Sequence, residues 1–454
     1  MPFVSLNPNT NQVIQAHVCW DINRLESALE KAHSAQQIWA QTTFVLRAEM
    51  LRNAATQLRA QHDQYATLIT QEMGKPLREA RAEVEKCASV CEYYAQHAGE
   101  FLRAEPLESD AGKSYVAYYP LGVVLAIMPW NFPFWQVFRA AIPALMAGNA
   151  VALKHAPSVP KCALAMEAIF LDCGLPEGMF TNLMIEVEQV ADAIASPHIH
   201  AVTLTGSEAA GRKVAACAGQ HLKKCVLELG GSDPFIVLHD ADLELAVNMA
   251  VTSRFLNCGQ SCIAAKRFIV VPEIADEFLH RLKTKVEALR LGDPMIEATQ
   301  IGPMARLDLR ESLHNQVTCS IAQGAVAVTG CKPVEREGFF YQPSILDHVT
   351  AKTCAYQEEL FGPVAIVIRA ASEEDALRIA NETRFGLGSS IWSRDAARAE
   401  QLVARIQAGC TFINGMVKSD PRLPFGGVKA SGYGRELSKL GMHEFVNAKT
   451  VWIR

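Results

Sequence analysis

The chain has 454 residues, of which 50% are apolar and 20% are charged, and its formal net charge is −5. This balance excludes a disordered or collagen-like chain, and the length suffices for a large core in about three domains. So weak an acidity excludes the basic surface that DNA, RNA or an anionic membrane would require.

The first eight residues, MPFVSLNP, show neither the basic nor the apolar region of a secretory signal. The 13 cysteines are an odd number spread over a long chain. That distribution favours buried, reduced side chains over a disulfide framework. A cytoplasmic protein is expected.

Residues 21–103 carry the apolar periodicity of helices, after a short strand-like start. One long helix is predicted from Leu77 to Phe101, because apolar residues recur along it at helical spacing. Pro76 suits the start of this helix, and Gly74 suits the end of the helix before it.

From residue 115 onward, short apolar runs alternate with helical segments, which is typical of parallel sheets in an α/β protein. Buried strands are predicted at 115–119, 121–128, 150–153, 201–204, 225–229 and 235–238. Helices are expected near 135–148, 161–173, 208–218 and 241–256, and further strands near 267–271, 364–369 and 410–413.

The stretch 121–153 contains a single charged residue, Arg139, and is long enough to span a membrane. Pro129, Pro133 and Pro143 interrupt it. A buried strand, a turn and a helix are the better interpretation of this stretch.

Cys262 ends the loop NCGQSC (257–262), just after a predicted helix. A loop cysteine is usually inert, but a polar and accessible setting that favours the thiolate makes it a nucleophile. The polar residues of this loop allow that role. Cys258 is either an ordinary loop residue or the partner of a reversible disulfide that protects the nucleophile.

Glu228 lies at the end of an apolar strand, in the run VLELGG (226–231). A strand-end carboxylate can be a simple surface charge. If Glu228 is buried among its apolar neighbours, its pKa is raised, which suits a general base. Gly230 and Gly231 would let the backbone approach a ligand closely.

Asn131 is a polar amide between prolines in the run MPWNFP (128–133). An unsatisfied buried amide costs about 1–3 kcal/mol, so this side chain must be paired or used. It either closes the turn or donates a hydrogen bond to an oxyanion.

The tripeptide TGS (205–207) follows a predicted strand and precedes a predicted helix. A glycine turn at a helix N-terminus can bind a phosphate or another anion. The three spaced glycines of the dinucleotide fingerprint are not present here, so the turn alone is weak support for such a site.

Together, these motifs resemble one family, the NAD(P)-dependent aldehyde dehydrogenases. In chain order the matching motifs are PWNFP (129–133), Lys154, TGS (205–207), ELGG (228–231), GQSC (259–262), EELFGP (358–363) and PFGGVKASGYGRE (424–436). The 34-residue separation of Glu228 and Cys262 also matches the family. Within it, the chain is most similar to the short bacterial succinate-semialdehyde dehydrogenases.

The resemblance implies an α/β fold with three parts. These are a Rossmann-like NAD(P)-binding domain (1–101 and 121–229), an α/β catalytic domain (230–440) and a small β bridging element (102–120 and 441–454). In the family, the bridging element takes part in oligomerisation, so a homodimer or homotetramer is expected.

The resemblance also assigns the chemistry. Cys262 would attack the aldehyde carbon to form a thiohemiacetal, whose oxyanion the Asn131 amide and the Cys262 backbone N–H would hold. Hydride transfer to the cofactor would leave a thioester. Glu228 would then activate water to release the carboxylic acid.

NAD or NADP is the implied cofactor, and no metal ion is expected. The residues that would contact the cofactor are Ile127, Met128, Pro129, Trp130, Lys154, Gly206, Ser207, Leu229, Glu359 and Phe361. Many NAD-preferring members carry a glutamate three residues after the lysine, where this chain has Pro157. Without that carboxylate a 2′-phosphate is not repelled, so NADP is admissible.

The substrate residues implied are Arg139, Phe132, Trp135, Ser419 and Phe425. Succinic semialdehyde dehydrogenases place an arginine at the position of Arg139, and a bidentate contact would hold the distal carboxylate of the substrate. A protein carboxylate is the competing partner for so buried an arginine. The second arginine of some such enzymes is replaced here by Leu256.

Oxidation of succinate semialdehyde to succinate is therefore the predicted function. One alternative is an aldehyde dehydrogenase for another substrate, such as glutarate semialdehyde or an aromatic or aliphatic aldehyde. A second alternative is a non-catalytic binding protein on the same fold.

Overall fold

The computed structural model describes residues 3–454. Helices dominate up to residue 101, and strands and helices alternate beyond residue 113. The helices are α1 (Ile22–Trp39), α2 (Phe44–Ala60), α3 (His62–Met73), α4 (Leu77–Phe101), α5 (Trp135–Ala147), α6 (Pro160–Asp172), α7 (Val190–Ala195), α8 (Glu208–Gln220), α9 (Leu243–Phe255), α10 (Ala275–Glu287), α11 (Leu307–Ala322), α12 (Cys354–Gln357), α13 (Glu373–Asn381), α14 (Ala396–Val403) and α15 (Ser438–His443).

The strands are distributed over four sheets. They are β1 (Phe3–Asn7), β2 (Gln12–His17), β3 (Glu105–Pro106), β4 (Lys113–Pro120), β5 (Val123–Met128), β6 (Ala150–His155), β7 (Phe180–Asn182), β8 (Ile199–Thr205), β9 (Lys224–Glu228), β10 (Asp233–Val237), β11 (Ala265–Val270), β12 (Val326–Thr329), β13 (Ser344–Asp347), β14 (Val364–Arg369), β15 (Gly388–Trp392), β16 (Cys410–Ile413), β17 (Gly432–Tyr433) and β18 (Val446–Ile453).

Two mainly parallel sheets form the body of the fold. The first has the order β17-β9-β8-β5-β6-β7, and β17 is antiparallel to its neighbour. The second has the order β12-β13-β14-β11-β10-β15-β16, and β12 is antiparallel to its neighbour. Each sheet lies in its own apolar core. The predicted α/β fold, with a Rossmann-like sheet and a second α/β sheet, is confirmed.

The two smaller sheets are antiparallel. Strand β18 pairs with β4 from Val446 opposite Pro120 to Ile453 opposite Lys113, and β3 lies on the other side of β4. The domain limits drawn from the sequence stay predictions. The short strand β17 falls inside the range 230–440 but pairs with β9 in the first sheet.

The predicted strands and the long helix α4 are found close to their expected positions. Gly74 ends α3 in the left-handed conformation, and Pro76 is the residue that caps α4. The apolar stretch 121–153 folds as β5, a turn, α5 and β6. Within residues 3–454, no helix combines the length and the apolar character needed to cross a membrane.

The expectation that the cysteines are all reduced is wrong at one place. Cys319 of α11 and Cys354 of α12 form a disulfide, with their Cα atoms 6.2 Å apart. The two residues are 35 positions apart along the chain, so only the packing of α12 against α11 brings them together. Cysteine spacing alone does not reveal such a pairing.

Candidate active site

Cys262 lies in a loop whose backbone is held by side-chain hydrogen bonds. The loop follows α9 through a tight turn in which Asn257 and Cys258 have left-handed φ angles of 56° and 54°. The Asn257 side chain donates to the carbonyls of Asn131, at 2.7 Å, and Gln260, at 3.1 Å. Such a conformation is costly for residues other than glycine, and these hydrogen bonds hold it in place. Cys258 is fully buried in this turn.

The Cys262 side chain is partly exposed and borders two cavities. Burial raises the pKa of its thiol to about 12, and the nearby charges of Arg139 and Lys266 counteract this only in part. At neutral pH the resting side chain is therefore a thiol. It needs a base to become the nucleophile.

Asn131 lies against the same loop and borders one of these cavities. Its amide Nδ2 donates to the Gln260 carbonyl at 3.0 Å, which leaves the second N–H of the amide for another acceptor. Within residues 3–454, the backbone N–H of Cys262 has no acceptor. Two N–H groups are thus available beside the thiol, as an oxyanion would require.

Glu228 ends β9, and its side chain is 1% exposed. Neither carboxylate oxygen has a hydrogen-bond partner within residues 3–454. Burial and the nearby carboxylate of Glu436 raise the pKa of Glu228 to about 8. In this conformation Glu228 borders neither of the two cavities, because its carboxylate points towards Gly426.

The first cavity, which we call the aromatic cavity, has a volume of about 180 Å³. It brings Cys262 together with the five residues that the resemblance implied for substrate binding. These are Phe132, Trp135, Arg139, Ser419 and Phe425. Lys86, which the sequence analysis did not single out, also borders it.

Arg139 is buried in the wall of the aromatic cavity, with 2% of its surface exposed. Its Nε pairs with the carboxylate of Glu436, its Nη2 donates to Thr205 Oγ1 at 3.2 Å, and the guanidinium lies 4.7 Å from the centre of the Phe425 ring. The competing protein carboxylate is therefore present. Glu436 balances the charge of Arg139 without any ligand.

Helix α5 carries Trp135 and Arg139, and a buried carboxylate fixes its start. Glu83 Oε1 accepts hydrogen bonds from the backbone N–H groups of Phe134 and Trp135, both at 2.9 Å. The other oxygen of Glu83 pairs with Lys75, whose ammonium lies over the Phe132 ring. Glu83 thus satisfies N–H groups at a helix N-terminus, where a negative charge is also favoured.

The second cavity, which we call the glycine-edged cavity, has a volume of about 270 Å³ and lies at the carboxyl edge of the first sheet. Seven of the residues predicted to bind the cofactor border it: Pro129, Trp130, Gly206, Ser207, Leu229, Glu359 and Phe361. Ile127, Met128 and Lys154 do not border it but end the neighbouring strands β5 and β6, where Ile127 pairs with Lys154. Ligands of open parallel sheets bind at this edge.

The residues present fit a dinucleotide. Gly206 and Ser207 precede the N-terminus of α8, and Ser207 Oγ caps that helix by accepting from Ala210 N–H. A helix start of this kind suits a pyrophosphate. Lys154 is buried, burial lowers its pKa to about 8, and within residues 3–454 it forms no ion pair. Pro157, nearby, brings no carboxylate.

Two cations join the Cys262 loop to the segment that carries Glu359 and Phe361. Lys266 Nζ donates to the Cys262 carbonyl at 2.8 Å and pairs with Glu359 at 3.0 Å. Arg254 donates to the Gly259 carbonyl at 3.4 Å and to the Leu360 carbonyl at 2.9 Å. Both loops are therefore fastened to the same two side chains.

Three charged residues of α4 were not predicted from the sequence to belong to the site. Glu79, Glu83 and Lys86 recur at helical spacing, and all three reach the site. Their spacing is the available signal, since Glu83 lies between Ala80 and Cys87 on the buried side of the helix. The pattern alone does not separate these charges from the exposed Glu85 and Glu92.

Known proteins are similar to this chain over its whole length. The Aldehyde dehydrogenase family matches residues 2–451. The chain is 48% identical, over 453 residues covering 100% of both chains, to the probable succinate-semialdehyde dehydrogenase (NADP(+)) of Synechocystis sp.. It is 47% identical to the succinate semialdehyde dehydrogenase (NAD(P)+) of Escherichia coli, covering 99% of this chain and 97% of that one.

A solved structure is similar over the same length of chain. The succinic semialdehyde dehydrogenase from Streptococcus pyogenes, in complex with NADP+, superposes with a TM-score of 0.97 at 38% identity, covering 99% of both chains. The motifs, the two cavities at Cys262 and these similarities agree, and the chain belongs to the aldehyde dehydrogenase family.

Proposed function

We propose that this chain oxidises succinic semialdehyde to succinate, with NADP or NAD as the cofactor. The observation that carries the proposal is the aromatic cavity, in which two cationic side chains, Lys86 and Arg139, stand among aromatic walls beside the Cys262 thiol. A small aldehyde with a carboxylate at its far end matches this combination of apolar wall and positive charge. The relatives named for this activity, at 47% and 48% identity, support it.

The first step would form a bond between Cys262 Sγ and the aldehyde carbon. Glu228, with its pKa raised to about 8, would take the thiol proton once its side chain turns towards the cavity. The carbonyl oxygen would become an oxyanion held by the second N–H of Asn131 and the backbone N–H of Cys262. When bound, the nicotinamide supplies the hydride acceptor.

The thioester that remains on Cys262 would be hydrolysed by water. Glu228 would first release the thiol proton to solvent. It would then take a proton from that water as the water oxygen attacks the thioester carbon, and the carbon–sulfur bond would break to give the acid and a Cys262 thiolate, which takes up the proton from Glu228. Asn131 and the Cys262 N–H would hold the oxyanion a second time. A single carboxylate would thus serve both halves of the reaction.

The cofactor assignment rests on the chain's own residues. Glu359 would hold the nicotinamide ribose and Phe361 the ring, while Gly206 and Ser207 would meet the pyrophosphate. Lys154 forms no ion pair among residues 3–454, although the charge of Glu188 is near enough to favour its protonated form, and the position three residues after it is Pro157 rather than a glutamate. This supports acceptance of the 2′-phosphate of NADP.

The test is the ratio of kcat/KM for succinic semialdehyde to that for butanal, with NADP and NAD each in excess. The two aldehydes share a four-carbon chain and differ in the distal carboxylate. A charge-assisted contact predicts a preference of roughly 10- to 150-fold for the semialdehyde. A ratio near one would reject the substrate and direct the search to glutarate semialdehyde or to aromatic and aliphatic aldehydes. Cofactor binding without turnover of any aldehyde would identify a binding protein instead.

The assembly and the location are proposals too. A homodimer or homotetramer would cover strand β18, whose side chains are mostly exposed at the edge of the three-stranded sheet. Light scattering of the purified protein measures the oligomeric state. Cell fractionation tests the predicted cytoplasmic location.

A further inference from the structure

Lys266 is a buried cation four residues after Cys262. It lies near the start of β11, and 1% of its surface is exposed. Its ammonium has three N–H donors, and each of them finds an acceptor: the carbonyls of Ser261 and Cys262, both at 2.8 Å, and the carboxylate of Glu359, at 3.0 Å. A buried ammonium is costly unless it is paired and hydrogen-bonded. These acceptors therefore balance its charge and fix its position.

The contact with the Ser261 carbonyl bears on the backbone N–H of Cys262, because both groups belong to one peptide unit. That unit is planar and trans, so its C=O and its N–H point in opposite directions. The carbonyl oxygen accepts from Lys266 Nζ at 2.8 Å and from the Ala264 N–H at 3.2 Å. With the carbonyl held towards Lys266, the Cys262 N–H points away from it. Among residues 3–454 this N–H has no acceptor, so it is available to a ligand.

The charge of Lys266 adds to this geometry. A hydrogen bond from an ammonium is stronger than one from a neutral N–H, such as that of Ala264. It polarises the peptide unit whose carbonyl it holds, and the N–H at the other end of that unit becomes a better donor. The burial of the ammonium keeps water from screening this effect.

Gly231 keeps the neighbours of Lys266 in place. Its backbone N–H donates to the Glu359 carboxylate at 3.1 Å, and this carboxylate pairs with Lys266. The Cys262 carbonyl lies directly against Gly231, where a Cβ would come within 2.6 Å of the carbonyl oxygen. Gly231 thus admits the carbonyl and anchors the carboxylate, and the Lys266 ammonium joins the two.

We propose that Lys266 is a positioning residue, which aims and strengthens the backbone N–H of Cys262 as an oxyanion donor. The inference rests on the proposed reaction at Cys262. Lys266 borders neither the aromatic nor the glycine-edged cavity, so it acts through the peptide unit without touching the aldehyde. Every aldehyde would gain equally, because each gives an oxyanion at the same place.

The charge of Lys266 also favours the thiolate of Cys262, and the experiment has to separate the two effects. The wild type is compared with Lys266→Met, Lys266→Gln and the control Lys352→Met, which replaces an exposed lysine. We measure kcat/KM for succinic semialdehyde and for butanal, and the rate at which iodoacetamide alkylates Cys262, followed by mass spectrometry. Aldehyde oxidation passes through an oxyanion, whereas alkylation displaces iodide from a carbon and forms none.

We expect Lys266→Met to lose roughly 10- to 100-fold in kcat/KM with both aldehydes, because the oxyanion donor loses its alignment and its polarisation. This loss should exceed the loss in alkylation rate by about 5-fold or more. Lys266→Gln also removes the charge but keeps an N–H donor for the carbonyls. It should match Lys266→Met in alkylation rate and lose less in kcat/KM. Lys352→Met should match the wild type in both rates.

Equal losses in kcat/KM and in alkylation would show that Lys266 acts on the ionisation of the thiol, and would overturn the inference. An unchanged kcat/KM in Lys266→Met would overturn it as well. If Lys266→Met does not fold, Lys266→Gln decides by the same comparison of the two rates.

The failure of the proposed function has a different signature. If the wild type does not prefer succinic semialdehyde to butanal, the proposed substrate fails, while the rates with butanal still decide the role of Lys266. If the wild type oxidises no aldehyde, the proposed reaction fails, and the inference fails with it.

Discussion

The carboxylate of Glu79 accepts a hydrogen bond from the backbone N–H of Asn257 at 2.7 Å, although the two residues are 178 positions apart. Asn257 has a left-handed backbone and in turn donates its amide to the Asn131 and Gln260 carbonyls. One side chain of α4 therefore holds the turn that leads into the Cys262 loop. Both Cys262 and Asn131 depend on the position of that turn.

We expect Glu79→Ala to lower kcat by about 10-fold or more with succinic semialdehyde and butanal alike, because the thiol and the oxyanion donors lose their alignment. Glu79→Gln keeps a carbonyl acceptor for the Asn257 N–H and should retain most of the activity. Steady-state kinetics of both variants decide the matter. A loss in Glu79→Gln as large as in Glu79→Ala would show that the charge matters rather than the hydrogen bond.

The buried pair of Arg139 and Glu436 should matter for stability. Arg139→Met leaves the Glu436 carboxylate buried and unpaired, so we expect the free energy of unfolding to fall by about 3–5 kcal/mol. In Arg139→Met/Glu436→Gln the uncompensated charge is gone, and most of that loss should be recovered. Thermal unfolding of the single and double variants measures both effects. A double variant no more stable than Arg139→Met would refute the pairing.

The activity should follow the ionisation of Glu228. Its pKa is raised to about 8, and only the carboxylate can accept a proton. We therefore expect kcat/KM to rise with pH up to about 8 and then to level off. Glu228→Gln should lose most of its activity at every pH. A wild-type profile that is flat between pH 6 and 9 would exclude this carboxylate as the base.

The raised pKa of Glu228 also predicts how the stability of the protein depends on pH. The pKa is higher in the folded protein than the ordinary value of 4.5, so the unfolded chain releases this proton first as the pH rises. The contribution of protonated Glu228 to the free energy of unfolding is complete below about pH 4.5 and is lost as the pH approaches about 8. We expect Glu228→Gln to melt about 2–5 °C above the wild type at pH 8 and at nearly the same temperature at pH 5.

The cofactor preference should depend on Lys154. Lys154→Met removes the cation proposed to meet the 2′-phosphate, so KM should rise by roughly 10-fold for NADP and by less for NAD. Pro157→Glu, which introduces a carboxylate near the same phosphate, should shift the preference towards NAD. Kinetics with each cofactor at saturating aldehyde measure the two changes. Equal effects of Lys154→Met on NADP and NAD would place this lysine outside 2′-phosphate recognition.

The sequence predicted the elements whose pattern is strong. The apolar runs at 121–128 and 150–153 are strands β5 and β6, and the long periodic segment is α4, because buried strands and amphipathic helices leave clear apolar periods. Strands β13 and β15 were not predicted. Strand β15, Gly388–Trp392, begins with Gly-Ser-Ser, and its burial comes from neighbours that the local sequence does not show.

The candidate site residues could be predicted because they lie in recognisable motifs. The contacts that hold these residues in place are visible only in the structure. Arg139 was singled out as an unusual buried arginine, but its partner Glu436 lies almost 300 residues further on. Lys86 lies in no recognisable motif, and its sequence context on a helix does not distinguish it from a solvent-exposed lysine. Only the packing of α4 against α5 and the segment around Ser419 turns it into part of a cavity.

The planar guanidinium of Arg254 donates both to the Gly259 carbonyl, before Cys262, and to the Leu360 carbonyl, before Phe361. Since one rigid group fixes both loops, we expect the distance between the Cys262 thiol and the segment of Phe361 to be set independently of the side chains that line the aromatic cavity. The residues that line the aromatic cavity could then be replaced without changing the arrangement of Cys262 and Phe361. A lineage of such enzymes could change its substrates through α4 and the segment around Ser419 alone, keeping one reaction centre throughout.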